Sequence, residues 1–356
     1  MPFNAEMYLK SFKDISQALS STLAVNEVLD QIVRKITEAM KLKGATIRLF
    51  NLETNTLELL AACGLSQKYL DKGPVDLDKS VAEALTGRPV VVSDATTDPR
   101  MQYPKEAKAE GIATMVTCPM KARGKVIGVL RLVTGESRKY STEEVDFACS
   151  VADLGAQAII NAEMFEDRAR ELKFLKGMLE VSKAINSALE VQEMLQLLVK
   201  TATASLDIKG AGVRLLDEKR QTLELVASHG LSDRYIHKGP VAADRSIAET
   251  MMGKVVSIYD VTEDPKVMYL KEVQEEGIKS ILSVPISLKG KIIGLLRIYT
   301  GEHRSFTDDE ITFISSLAEQ AALGMENARM YQKLKGEHED LMKDIFGFIG
   351  YTRVGT

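Results

Sequence analysis

Two arginines lie inside apolar, strand-like segments of this sequence, where a charged side chain needs a partner. Arg48 stands in the run Ile47–Phe50, and Arg131 shares an alternating face with Val129 and Val133. A buried guanidinium must be paired, and its planar fork suits a carboxylate or a phosphate. The residue types therefore predict either an internal ion network or a site for an anionic ligand, and the sequence leaves both open.

The same chemistry occurs twice because the chain repeats itself. Ile47–Val75 reads IRLFNLETNTLELLAACGLSQKYLDKGPV, and Val213–Val241 reads VRLLDEKRQTLELVASHGLSDRYIHKGPV, an ungapped offset of 166 residues. A period this long indicates a duplicated domain rather than a solenoid repeat. The predicted domains are residues 8–165 and 174–331, followed by a C-terminal helical tail at 332–356.

The first strand pair of each copy predicts a carboxylate partner for its arginine. Two alternating segments flank a short turn, which is typical of a β-hairpin. If the turn is centred on Glu53, Arg48 lies directly opposite Glu58, and Arg214 lies opposite Glu224 in the second copy. Opposite charges across a hairpin attract by roughly 0.2–1 kcal/mol. An Arg-Glu-Arg network is therefore the structural alternative to a ligand site.

Few residues suit nucleophilic or metal chemistry. The cysteines are Cys63, Cys118 and Cys149, and their counterparts in the second copy are His229, Val284 and Ser315. Cys118 falls in a predicted strand and Cys149 in a predicted helix, as small buried side chains do, and nothing around them is expected to lower a thiol pKa. The four histidines show no metal-ligand spacing.

The elements that must position these residues follow the order α-β-β-α-β-α-β-β-α in each copy. This order predicts an α+β fold, in which one antiparallel sheet per domain has helices on both faces. Ser141 and Glu144 form a predicted capping box at the start of the last helix, and Thr307 and Glu310 repeat it. No proline interrupts the helical pattern from Ser141 to about residue 186, which predicts one long helix joining the domains.

An apolar seam on these last helices predicts a homodimer. Apolar residues alternate at three- and four-residue spacing through Phe165–Leu172 and Leu334–Phe348. The alternative is that the stripes cover the sheet of their own domain, and we expect the first turns to do so while later turns meet a partner chain. His338 is expected to be a polar residue of this seam.

Composition excludes several function classes. The formal net charge of −4 and the absence of a basic stripe argue against nucleic-acid binding. No apolar run approaches the roughly 18 residues of a membrane helix, and no signal peptide is visible at the N-terminus. Three cysteines do not make a disulfide framework, so a reduced, cytoplasmic setting is expected.

Four motifs in each copy resemble the GAF domain family. They are the D-x-x-x-D-P loop beginning at Asp94, a G-I-x-x-x-x-x-x-P-[MI] strand, an x-G-K-x-I-G-[VL]-L hairpin and a [YF]-[ST]-x-[ED]-E helix start. The resemblance covers nearly the whole chain except the last 25 residues or so. It implies a fold specifically and a function loosely, because GAF domains bind cyclic nucleotides, bilins, haem and amino acids, and many serve as dimerisation modules.

The resemblance also places a ligand site. In the family, the strand of Arg131 lies beside that of Arg48, and ligands sit between the sheet and a loop-helix segment, here about 81–112 and 247–278. The candidate ligand-binding residues are Arg48, Glu58, Asp94, Tyr103 and Arg131 in the first copy and Arg214, Glu224, Asp260, Tyr269 and Arg297 in the second. The two aspartates may be replaced in this role by simple turn chemistry, since Asp favours turns.

No ligand subtype of the family is matched in full. The Asn-Lys of the cyclic-nucleotide signature is absent, and no cysteine has the adjacent histidine typical of bilin attachment. We expect a non-enzymatic, cytoplasmic sensory or regulatory protein with a small, anionic ligand and a signalling partner protein; its cofactor is unknown. The alternatives are an enzyme like the free methionine sulfoxide reductases, and a purely structural dimerisation module.

Overall fold

The computed structural model divides the chain into two compact units, residues 1–168 and 169–356, called domain 1 and domain 2 below. It describes residues 5–21, 25–51, 54–76, 79–186, 190–217, 222–237, 241–242, 245–265, 267 and 269–351.

Domain 1 is built on one six-stranded antiparallel sheet. Its helices are α1 (Ala5–Ser21), α2 (Val25–Met40), α3 (Gln67–Leu70), α4 (Lys79–Leu85), α5 (Pro104–Glu110) and the first part of α6 (Thr142–Asn186). Its strands are β1 (Gly44–Asn51), β2 (Thr56–Cys63), β3 (Val75–Asp76), β4 (Val90–Val92), β5 (Thr114–Ala122) and β6 (Lys125–Thr134). The strand order is β3-β2-β1-β6-β5-β4, which puts β1 and β6 at the centre.

The sheet of domain 1 has a core on each face. Helix α2 buries one stripe, Val28, Leu29, Ile32, Val33 and Ile36, because these residues recur at helical spacing. This stripe packs with α1, α6 and one sheet face in the larger core. The opposite face carries a smaller core that includes Tyr69, Val81 and Ala107 of the short helices and Val129 of the sheet.

The helix that leaves domain 1 begins at the predicted capping box. The Glu144 N–H donates to the Ser141 hydroxyl at 3.3 Å, and the Ser141 N–H donates back to the Glu144 carboxylate at 3.0 Å. Arg138 forms an ion pair with the same carboxylate and donates to the Met40 carbonyl at 2.7 Å. The acidic residue is therefore a structural cap, as predicted.

Domain 2 repeats this arrangement with the second part of α6 in the place of α1. Its other helices are α7 (Val191–Leu206), α8 (Asp233–Ile236), α9 (Arg245–Met251), α10 (Leu270–Glu275) and α11 (Asp308–Tyr351). Its strands are β7 (Gly210–Asp217), β8 (Thr222–His229), β9 (Val241–Ala242), β10 (Val256–Ile258), β11 (Ser280–Leu288) and β12 (Lys291–Thr300), in the order β10-β11-β12-β7-β8-β9.

The predicted α+β class, the antiparallel sheets and the long helix are confirmed. Phe174, Met178 and Val181 of α6 pack in the domain 2 core at positions matching Tyr8, Phe12 and Ile15 of α1, since each pair is 166 residues apart. Sequence analysis did not separate α3 and β3 from the loop after β2, because two to four residues carry too little periodicity.

Candidate functional site

The central strands of domain 1 bring its two arginines onto one face. β1 pairs with β6 so that Arg48 lies opposite Val129 and Arg131 lies opposite Thr46, two residues away along β1. Residues that pair directly, or lie two apart, project from the same side of a sheet. Both arginine side chains face the smaller core, and each residue is only 6% exposed. The predicted common face of Arg48 and Arg131 is confirmed.

The predicted carboxylate partner is wrong. β1 pairs Asn51 with Thr56, which puts Arg48 opposite Leu59 rather than Glu58. A shift of one residue in a hairpin moves every side chain to the other face. Glu58 is accordingly exposed and accepts a hydrogen bond from the Asn51 amide at 2.6 Å.

The same correction applies to domain 2. Arg214 lies opposite Leu225, while Glu224 lies opposite Leu215 and is exposed. Neither domain therefore contains the Arg-Glu-Arg network that the hairpin pattern predicted. Arg214 and Arg297 nevertheless share a face, since Arg214 pairs with Leu295 and Arg297 with Gly212.

Two residues after β2 complete a cationic cluster in domain 1. The Lys72 ammonium donates to the Tyr69 carbonyl at 3.0 Å and lies 3.8 Å from the centre of the Tyr69 ring. It is 5.8 Å from the centre of the Tyr103 ring, and the Tyr103 hydroxyl donates to the Pro74 carbonyl at 2.7 Å. Gly73 permits this approach, since a Cβ there would lie 3.0 Å from the Tyr103 hydroxyl. We call Arg48, Arg131, Lys72, Tyr69 and Tyr103 the cationic cluster.

Positive charge accumulates in this cluster. Burial lowers the pKa of Lys72 to about 8, and the charges of Arg48 and Arg131 lower it further, against an opposing effect of Glu106 and Glu110. Burial and Arg131 also lower the pKa of Arg48, whose guanidinium donates to the Leu57 carbonyl at 3.2 Å. Each cation is therefore penalised by the others, and a bound anion would relieve the penalty.

The floor beside Arg131 contains an unsatisfied hydroxyl. Thr117 on β5 lies directly opposite Arg131, and its residue is fully buried. Its hydroxyl oxygen has no hydrogen-bond partner among the described residues. In domain 2 the corresponding Ser283 accepts a hydrogen bond from Nε of Arg297 at 3.0 Å. The two domains thus treat an equivalent pair of residues differently.

Domain 2 fills the same space with an aromatic ring. Tyr299 stands where domain 1 has Val133, is 2% exposed, and meets the Tyr235 ring edge-on with the centres 5.7 Å apart. Gly212 replaces Thr46, and a Cβ added there would already lie 4.0 Å from the Tyr299 ring and 3.2 Å from a Leu225 methyl. Burial, and secondly Tyr299, raise the pKa of Tyr235.

The remaining predicted residues have mixed positions. Asp94 accepts hydrogen bonds from Thr96 and Thr97, which lower its pKa, and Asp260 accepts from Thr262 in the same way. Both aspartates therefore organise turns. Tyr103 lies in the cationic cluster. Tyr269 has a φ of 58°, whereas Tyr103 has −125°, so the two copies differ in backbone here, and its ligand role stays a prediction.

Comparison with known proteins agrees with this architecture. Residues 22–160 and 188–326 both match the GAF domain family. The chain belongs to the GAF domain family. The two matches, together with the repeat, show two GAF domains in tandem, so the predicted family is confirmed.

Relatives of these GAF domains include regulators. The formate hydrogenlyase transcriptional activator of Salmonella typhimurium strain LT2 is 20% identical over 240 residues, covering 64% of this chain and 35% of the activator. The Nif-specific regulatory protein of Azospirillum lipoferum is 25% identical over 189 residues, covering 50% of this chain and 30% of the regulator. The chain thus spans about a third of the length of these relatives.

A solved structure extends the likeness to both GAF domains. The bacteriophytochrome of the photosynthetic bacterium R. palustris aligns with a TM-score of 0.58 at 9% identity, covering 91% of this chain and 76% of that one. At this identity the likeness concerns the fold alone. None of the described helices has the length and apolarity of a membrane span, and the described residues contain no group of three or more potential metal ligands.

The cysteines of the first GAF domain are not at the cationic cluster. Cys118 lies opposite Leu130 on β5, on the sheet face that packs against α6, whereas Arg131 projects from the other face. The Cys118 thiol is hydrogen-bonded to the sulfur of Cys149, and this bond lowers the pKa of Cys149. The expectation that nothing lowers a thiol pKa is therefore wrong, although the pair stays outside the predicted ligand pocket.

Sequence reasoning missed Tyr69, Lys72 and Thr117. A signal for the first two was present, because both copies carry a tyrosine followed three residues later by Lys-Gly-Pro-Val: Tyr69 with Lys72, and Tyr235 with Lys238. Lys238 lies outside the described residues. Thr117 had no such signal, since its role depends on the strand order.

Proposed function

We propose that this tandem GAF protein is a non-enzymatic sensor or regulator whose first GAF domain binds a small organic anion. The observation that carries the proposal is the cationic cluster, in which Arg48 and Arg131 are buried on one sheet face beside Lys72. Taking charged groups out of water is costly unless an opposite charge or hydrogen bonds compensate. The alternative compensation by Glu58 is ruled out by the strand register.

The proposed ligand carries a carboxylate or phosphate and a flat or apolar part. Two guanidinium groups and an ammonium suit an oxyanion, and a guanidinium can bind one through two parallel hydrogen bonds. The rings of Tyr69 and Tyr103 flank Lys72 and offer apolar surface to the rest of the ligand. The buried Thr117 hydroxyl would supply a further polar contact beside Arg131.

The second GAF domain is proposed to be a structural partner of the first. Its equivalent space is taken by the Tyr299 ring, and Ser283 satisfies Arg297 from within the sheet. A domain that fills its own pocket can keep the same fold without a ligand. This differs from our initial hypothesis that both domains might bind.

A homodimer is proposed as the functional form, in a cytoplasmic setting, with a signalling protein as the further partner. The α6 residues Leu172, Leu175 and Leu179 are 57%, 59% and 55% exposed, at the three- and four-residue spacing of a helix-pairing seam. Met330 and Leu334 on α11 are likewise exposed. The seam side chains predicted beyond residue 338 lie outside the described residues.

Titration of the purified chain with sulfate, inorganic phosphate and small carboxylates tests the ligand proposal, with native mass spectrometry to detect a co-purifying anion. Arg131→Gln should weaken anion binding at least tenfold, while the matched variant Arg297→Gln should leave it unchanged. Equal losses in the two variants would overturn the assignment of the site to domain 1. Light scattering at micromolar concentration tests the dimer, and a stable monomer would contradict it.

A further inference from the structure

Domain 1 has a second chemically distinctive feature on the opposite face of its sheet, a pair of contacting thiols. Cys118 on β5 is fully buried in the larger core, and Cys149 on α6 is half-buried at its margin. Their side chains are hydrogen-bonded to each other. They belong to different elements, so a covalent bond between them would join β5 to α6.

Two neighbouring contacts fix the helix against the strand at this point. The Lys121 N–H donates to the Asp153 carboxylate at 3.0 Å. Gly155 lets α6 approach the strand, since a Cβ there would lie 3.1 Å from the Met120 methyl. The cysteine contact lies one turn earlier on the helix and a few residues earlier on the strand. The two sulfurs are therefore held together by the packing of two rigid elements.

The two thiols differ in character. Donation of a hydrogen bond by Cys118 lowers the pKa of Cys149, and Lys121 acts in the same direction, against burial and the charges of Asp153 and Asp146. The same bond raises the pKa of Cys118, as does burial. A partly exposed thiol with a lowered pKa is the more reactive partner, because the thiolate is the nucleophile.

We propose that Cys118 and Cys149 are an oxidation site that forms a reversible disulfide when the protein meets a peroxide. The Cys149 thiolate attacks one peroxide oxygen, the O–O bond breaks, and hydroxide or alkoxide leaves, giving Cys149 sulfenic acid. The Cys118 sulfur then attacks the Cys149 sulfur; the S–S bond forms, and the displaced oxygen leaves as water with the Cys118 proton. Both cysteines are oxidised by one electron each, and the peroxide is reduced by two.

The site is confined to the first GAF domain. The second has Val284 and Ser315 at the same positions, which cannot form a disulfide. In the first, the residue before Cys118 is Thr117, which faces the cationic cluster on the other side of β5. A link through Cys118 would therefore hold the strand that forms part of the cluster's floor.

Peptide mapping of the full chain tests the proposal. Reduced protein is treated with a small excess of hydrogen peroxide, free thiols are alkylated, and the digest is analysed by mass spectrometry. The expected product is one intramolecular cross-link between the peptides of Cys118 and Cys149, with loss of two hydrogen atoms, reversed by dithiothreitol. Cys63 should remain alkylatable. Oxidation of Cys149 to sulfinic acid while Cys118 stays free, or equal cross-linking of Cys63, would overturn the proposal.

Matched variants are supplied by the second domain. Cys118→Val and Cys149→Ser each introduce the residue that the other copy already carries, so both should fold. Cys118→Val should leave a Cys149 sulfenic acid that dimedone traps, and Cys149→Ser should make Cys118 unreactive. Unchanged oxidation of Cys118 in Cys149→Ser would contradict the assigned roles. Should either variant fail to fold, the cross-link map of the parent chain still decides.

Discussion

The two GAF domains share a frame and differ in what fills it. Both place two arginines on the central strands, facing the same side of the sheet. Domain 1 then surrounds them with Lys72 and leaves the Thr117 hydroxyl without a partner among the described residues. Domain 2 brings in the Tyr299 ring and a serine hydrogen bond. The comparison teaches that a duplicated sheet can keep its buried charge while the group compensating it changes.

The coupled replacements explain how the change is possible. Tyr299 needs space that Val133 does not, and the space comes from Gly212 in place of Thr46. Well-packed interiors rarely accept a larger side chain without a smaller one nearby. The two substitutions therefore belong together, and neither would be expected alone.

The largest effect is expected where the domains agree. A Cβ at Gly128 would lie 2.3 Å from the Arg48 carbonyl oxygen, and one at Gly294 lies equally close to that of Arg214. Because the obstacle is backbone, Gly128→Ala and Gly294→Ala should each destabilise their own domain by about 3 kcal/mol or more. Urea unfolding measures this. Gly135→Ala, whose Cβ would meet nothing nearer than 3.5 Å, is the control, and equal stability of all three variants would contradict the close strand approach.

A smaller effect is expected where the domains differ. Tyr299→Val gives domain 2 the residue of domain 1 and removes most of a buried ring, so it should cost about 2–4 kcal/mol of unfolding free energy in domain 2. Adding Gly212→Thr should recover part of the loss by refilling the space. A Tyr299→Val protein that unfolds at the same urea concentration as the parent would show that the ring does not fill the pocket.

The pH dependence of anion binding should single out Lys72. Its pKa is lowered to about 8 from a model value of 10.5. An anion favours the charged lysine, so binding should be strongest below pH 8 and weaken as the pH rises through that value. Without an anion, the unfolded chain holds this proton up to higher pH than the folded chain, so the contribution of Lys72 to stability rises with pH between these values.

Sulfate is a suitable probe for this prediction because it does not titrate in the range. Lys72→Met should abolish the pH dependence near 8, while Lys68→Met, at an exposed position of the same segment, should keep it. A midpoint that survives in Lys72→Met would assign the titration to another group.

The smallest effect is expected at the residue that the hairpin pattern singled out. Glu58 is exposed and bonded to Asn51, so Glu58→Ala should change the unfolding free energy by less than about 0.5 kcal/mol. A buried partner of two arginines would cost about 3–5 kcal/mol on removal. Thermal unfolding distinguishes these values, and a large loss would restore the network that the register excludes.

The sequence could predict the frame better than the site. The 166-residue repeat, the capping box at Ser141 and the alternation around Arg131 each depend on local pattern, and all three are confirmed. The partner of Arg48 depends on where the turn is centred, and an error of one residue moved Glu58 to the wrong face. Lys72 and Thr117 reach the cluster only through the fold, since they come from a loop and from a strand distant in sequence.

The cysteine pair illustrates the same limit. Cys118 and Cys149 are 31 residues apart in sequence, and each looks like an ordinary buried side chain in its own element. Their contact arises because α6 packs along β5, which local periodicity does not encode. The lowered pKa of Cys149 could not be anticipated without that contact.

Transfer of the domain 2 filling into domain 1 tests the central claim most directly. Anion binding is measured by calorimetry for the parent chain and for the double variant Thr46→Gly/Val133→Tyr, with circular dichroism to show that the fold is kept. The account predicts one anion bound per parent chain and none in the double variant, because the new ring occupies the space that Tyr299 occupies in domain 2. Two anions per parent chain, or unchanged binding in the double variant, would contradict it.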